Sequence, residues 1–193
     1  ERLYAEYVDK LKQRFPGFRV VRKRDSRLCR VIDVALRVIT LGGQDRFMSD
    51  YITTLGSGIY VPDDWDARPA ASRYCVMRHE AVHVHQFRRL TWPGITLVYL
   101  FLPLPFGLAA GRAWLEWEGY RETLTATWQV YGADAARDPC LHEEIVRRFT
   151  GPDYAWMWVH GQTVRAAIDG HLERLGAEPP PVLRKRSRAV RTS

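Results

Sequence analysis

Residues 78–86 read Arg-His-Glu-Ala-Val-His-Val-His-Gln, and the run His79-Glu80-x-x-His83 within them constrains the fold more than any other feature. Residues four apart share one face of a helix and diverge in a strand, so the two imidazoles can hold one metal ion only if the segment is helical. Glu80 lies one step round, where a carboxylate can take a proton from an activated water. The flanking sequence predicts a helix over 72–90, with Ser72 as N-cap and apolar Val76, Met77, Ala81, Val82 and Phe87 following without Gly or Pro. Gln86 shares the face of His79 and His83. A catalytic zinc takes three protein ligands and leaves one position for water, so a second segment must return to the first. The acidic stretch from Arg112 to Glu122, carrying Glu116, Glu118 and Glu122, can supply the third ligand.

His79-Glu80-x-x-His83 followed by a helix with Glu116-Trp-Glu118-Gly119-Tyr120 resembles the gluzincin metallopeptidases. The resemblance covers residues 72 to about 130. It implies a zincin-like domain, Zn2+ as cofactor, His79, His83 and Glu116 as metal ligands, and Glu80 as general base. In that family the third ligand is a glutamate, with a small residue three places on and an acid or amide four places on. Gly119 matches the small residue and Tyr120 departs from the pattern. A shifted frame makes Glu118 the ligand and Glu122 its acidic partner. Glu116 and Glu118 lie about 200° apart on a helix, so only one can face the metal. Glu116 is preferred. The implied reaction is hydrolysis of a peptide bond in a peptide or protein substrate. The resemblance also implies an edge strand that pairs with the substrate backbone, and residues 51–61 are the candidate strand pair.

Other residues compete for roles. His85, two places after His83, points away from the ligand face. Cys75 is one turn before His79, but one ion cannot fill two adjacent helical gaps, so a small buried residue is expected there. Hydrolysis through an oxyanion calls for a second donor beside the metal. Tyr154, His160 and Arg165 are the candidates, with His160 and Tyr154 ahead.

Between Arg89 and Arg112 no residue is charged, and Ile95 to Ala110 is almost wholly apolar. A single membrane crossing here would part the two histidines from Glu116 by some 30 Å. Metal–ligand distances near 2 Å exclude that, and Pro103, Pro105 and Gly107 disfavour one continuous helix. The run is therefore expected to be a buried crossover. Its rival is an exposed apolar loop that meets a membrane or a partner.

The chain's 193 residues, 46% hydrophobic and 26% charged, suffice for one core-bearing domain, expected over 1–178. Five of the seven Trp fall in the second half, and most are expected in the core. Three widely spaced Cys make neither a disulfide framework nor a cysteine zinc cluster, and point to a reducing, cytoplasmic setting. The net charge of +7 concentrates in two clusters, Arg19 to Arg30 and the tail 179–193, which is expected to be disordered. These clusters give two rival readings: a non-catalytic module binding nucleic acid, or a membrane-associated protein using residues 95–110 and anionic lipid.

Apolar periodicity predicts helices over 3–14, 27–39, 112–131, 141–149 and 160–175, a short strand at 18–21, and a hairpin from 51–55 and 58–61 around Gly56-Ser57. A turn or cap is expected at Pro62-Asp63-Asp64. The whole is an α+β chain: a small sheet, an active-site helix and a mostly helical second half.

Overall fold

A computed structural model describes residues 1–43, 45–100, 108–151 and 160–177. The protein is mostly helical with one three-stranded sheet. In chain order it has α1 (Arg2–Arg14), β1 (Arg19–Arg22), α2 (Arg27–Ile39), β2 (Thr53–Leu55), β3 (Gly58–Val61), α3 (Ala70–Leu100), α4 (Leu108–Tyr131), α5 (Ala133–Ala136), α6 (Pro139–Thr150) and α7 (Gly161–Ala177). Short 3-10 turns follow β1 and Pro62. The backbone divides into two compact units, Glu1–Leu97 and Val98–Ser193.

The first unit is built on the sheet, ordered β1-β3-β2. β2 and β3 form the expected hairpin, with Thr54 opposite Ile59. Gly56 supplies the positive φ, 62°, that a two-residue hairpin loop requires. β1 pairs with β3 in parallel, Val20 opposite Ile59. All four residues of the central strand β3 are buried. Alternation explains how. Ile59 and Val61 pack with Leu11 of α1, Phe15 just past its end, Trp65, and Met77, Ala81 and Val84 of α3. Tyr60, on the other face, packs with Cys29 of α2 and Phe47. Each such aliphatic side chain contributes about 1.5–3 kcal/mol by leaving water.

The helix of the motif starts earlier than the sequence predicts. It begins at Ala70, and the Pro69 carbonyl accepts the Arg73 N–H at 3.0 Å. Ser72 is therefore inside the first turn and does not cap the helix. A proline just before the helix cannot donate and has φ already fixed, which suits it to start a helix. The regular helix ends where the sequence predicts, because Thr91 has non-helical φ 59° and ψ 170°.

α2 matches its predicted bounds. Its N-cap is Ser26, whose Oγ accepts from the Cys29 N–H at 3.2 Å. Between α2 and β1 lies Lys23, 1% exposed, its ammonium donating to the Phe47 carbonyl and lying 3.7 Å from the Phe47 ring centre. Burial lowers its pKa from 10.5 to about 8.

In the second unit α4, α5, α6 and α7 share one core, made by Ala113, Leu124, Ala136, Ile145, Val146, Phe149, Val164, Ile168 and Leu172. α4 begins four residues before the predicted Arg112. Asp138 caps α6, accepting from the Cys140 N–H at 2.8 Å. Among the tryptophans assigned to the core, Trp114 is 51% exposed, while Trp117 and Trp128 are half-buried against the core. Trp156 and Trp158 lie outside the described residues, as do residues 101–107 of the apolar run and the tail 179–193. No helix among the described residues is long and apolar enough to cross a membrane.

Candidate metal centre

The geometry of α3 explains why a helix deep in the first unit carries so many polar residues. Met77, Ala81 and Val84 lie on one face and enter the core. At 100° per residue, His79, His83 and Gln86 centre about 160° away, on the opposite face. Glu80 falls between the two faces. All four polar residues are buried, His79 at 9%, Glu80 at 8%, His83 at 8% and Gln86 at 6%. Buried polar groups cost free energy unless they are partnered, so their partners define the site.

Glu80 accepts a hydrogen bond from Thr54 Oγ1 at 2.6 Å. Thr54 sits in β2, an outer strand of the sheet, opposite Ile59, whose side chain faces α3. The sheet thus holds the carboxylate through one hydroxyl. The sequence contains no signal for this contact, which spans 26 residues.

The histidines are also held. Gln86 Oε1 lies 2.9 Å from His83 Nδ1. A carboxamide oxygen only accepts, so Nδ1 donates to it, and Nε2 is the nitrogen turned toward His79. That Nε2 is 3.1 Å from His79 Nε2, and the rings meet at 68°. Two nitrogens at about 2.0–2.1 Å on a tetrahedral ion stand about 3.3 Å apart, so this pair is spaced to share one metal ion. The i+3 spacing made the position of Gln86 legible in sequence; its hold on His83 was not.

In the second unit Glu116 is 3% exposed on α4. Among the described residues, His79, His83 and Glu116 form the group able to hold a metal ion, with one ligand atom of each within 4.8 Å of the others. Glu118, the shifted-frame candidate, is outside that group and half-buried. Tyr120, where the family pattern has an acid or amide, packs against Phe149, ring centres 5.5 Å apart. It is a packing residue of the second unit's core.

The remaining candidates have plain positions. His85 is exposed beside Phe15, ring centres 6.5 Å apart, and is not in the metal group. Cys75 is buried and also outside the group. His160 is exposed at the start of α7, where its carbonyl accepts the Thr163 N–H at 2.9 Å. Arg165 is paired with Glu143 at 2.6 Å on an exposed surface. Tyr154 lies outside the described residues.

Comparison of the chain with protein-family models, curated proteins and solved structures finds no match.

Proposed function

We propose that the protein is a zinc-dependent hydrolase of zincin-like architecture that cleaves peptide bonds, with His79, His83 and Glu116 as metal ligands and Glu80 as general base. The observation that carries this reading is the convergence of two imidazoles and one carboxylate, all buried, within 4.8 Å. The hydrogen bond between Gln86 and His83 and the 3.1 Å spacing of the ring nitrogens support it.

Zinc, when bound, polarises its water and the substrate carbonyl and lowers the pKa of that water toward neutrality. The residues of the chain do the rest. Glu80 accepts a proton from the attacking water as the water oxygen bonds to the carbonyl carbon. The same carboxyl then gives that proton to the amine nitrogen as the C–N bond breaks, so one water is consumed for each bond cleaved. Thr54 fixes the rotamer of Glu80 by its bond to Oε2. Gln86 orients the His83 ring, as second partners of metal-bound imidazoles do. On this reading β2 is the strand along which an extended substrate pairs, which places the scissile bond beside the residue that Thr54 anchors.

Metal content tests the proposal. The wild-type chain, reconstituted and dialysed, binds about one zinc. His79→Ala and Glu116→Ala lose it, while Glu118→Ala keeps it. Loss of zinc from Glu118→Ala with retention by Glu116→Ala would reverse the ligand assignment. Retention by all three would remove the metal centre.

A further inference from the structure

We propose that the outward face of α2 docks on an anionic membrane surface. A surface helix needs one apolar stripe, turned to the core. α2 has two. Cys29 is buried, and Ile32 and Leu36 pack with it in the cluster of Tyr60 and Phe47. On the other side Leu28 is 47% exposed, Val31 66%, Val34 60%, Val38 68% and Ile39 78%. Leu41 continues the stripe past the helix end at 97% exposure, turned outward where the chain takes positive φ at Leu41 and Gly42. Scattered exposed apolar residues are ordinary, but five along one helix with a sixth just past its end mark an interaction surface.

Charge and residue type together select the partner. Arg30 is exposed at one edge of the stripe and Arg27 is exposed at its N-terminal end, and neither has an ion pair among the described residues. Arg37 lies on the same side, bonded to Asp33 at 2.9 Å. An apolar stripe bordered by arginines is the layout of a helix lying in a lipid interface, with the aliphatic side chains among acyl chains and the guanidinium groups at headgroup level. The exposed set is all Leu, Val and Ile. Protein interfaces instead concentrate binding energy in Trp, Tyr and Arg, with Leu and Val under-represented. Nucleic acid would use the arginines and leave the aliphatic stripe in water.

Co-sedimentation of the full chain tests this, using vesicles of mixed phosphatidylglycerol and phosphatidylcholine and vesicles of phosphatidylcholine alone. Wild type partitions onto the anionic vesicles and far less onto the neutral ones. Arg27→Gln and Arg30→Gln each weaken anionic binding by about fivefold. Val31→Asp with Val38→Asp reduces it on the order of tenfold or more, with an unchanged thermal melt; Val31→Ser with Val38→Ser replaces that pair if the melt shifts. Undiminished binding by the Val31/Val38 variant overturns the proposal and assigns any lipid affinity to another segment. Absence of vesicle binding overturns it too, as does a concentration-dependent dimer that dissociates in that variant without any vesicle binding.

Discussion

Helices α2 and α3 belong to the same unit and break the same rule in opposite directions. α3 buries His79, Glu80, His83 and Gln86, while α2 exposes Leu28, Val31, Val34, Val38 and Ile39. Each also has an ordinary face that enters the core, Met77, Ala81 and Val84 in one, Cys29, Ile32 and Leu36 in the other. The ordinary faces hold the unit together. The contrary faces cost stability, or at least contribute none, and are therefore where function is to be sought. Buried imidazoles and carboxylates suit a small cation that replaces lost hydration. Exposed aliphatic side chains suit a broad, soft one that removes water.

The sharpest way to break this contrast is at Glu80. Glu80→Gln keeps the shape and a bond to Thr54 but cannot take a proton. Hydrolysis of a fluorogenic peptide should fall about 10²–10⁴-fold while zinc content stays near one per chain. Unchanged turnover would leave α3 with a metal and no base.

The two kinds of face should also separate in stability. Met77 is fully buried, and Met77→Ala should cost about 2–5 kcal/mol in urea denaturation. Val38 is 68% exposed, and Val38→Ser should stay within about 0.5 kcal/mol. Equal losses would mean that the outer face of α2 is packed after all.

Lys23 sharpens the comparison from the buried side. Its pKa of about 8 lies below the 10.5 of a free lysine because burial penalises the ammonium. Between those values the unfolded chain binds more protons than the folded one, so stability rises with pH across that window and is flat below it. The gain due to Lys23 is on the order of 2–3 kcal/mol. Denaturation midpoints from pH 7.5 to 10.5 should show the rise in wild type and lack it in Lys23→Met. A parallel rise in both chains would assign it elsewhere.

Much of the first unit was legible because its signals are local. The apolar recurrence from Leu28 to Val38 sets α2 to the residue, and the glycines around Ser57 mark the hairpin. The pairing of His79 with His83 follows from helical spacing alone. What sequence could not reveal depends on contacts between distant segments. Thr54 is one of two strand threonines until the sheet sets it against Glu80. The choice between Glu116 and Glu118 turns on the rotation of α4, which its core partners set; Tyr120 against Phe149 reports that rotation. Ser72 looked like a cap because its residue type suits one, yet Pro69 supplies the first accepting carbonyl. The exposure of α2's outer stripe was not legible either, since periodicity shows that residues are apolar and not which of them are covered.

The two pairings of β3 close loops of very different size. The hairpin with β2 closes across Gly56 and Ser57, whereas the parallel pairing with β1 must bring Val20 to Ile59 across α2 and the segment after it. Closing the longer loop costs more chain entropy and comes later in folding. The threonine that holds the Glu80 carboxylate is thus delivered on an early, local ribbon, but that ribbon is sandwiched only when the late strand arrives. Amide exchange during refolding should find Thr53 and Tyr60 weakly protected until Val21 slows in step with them, so that the setting of Glu80 matures at the pace of the slowest strand.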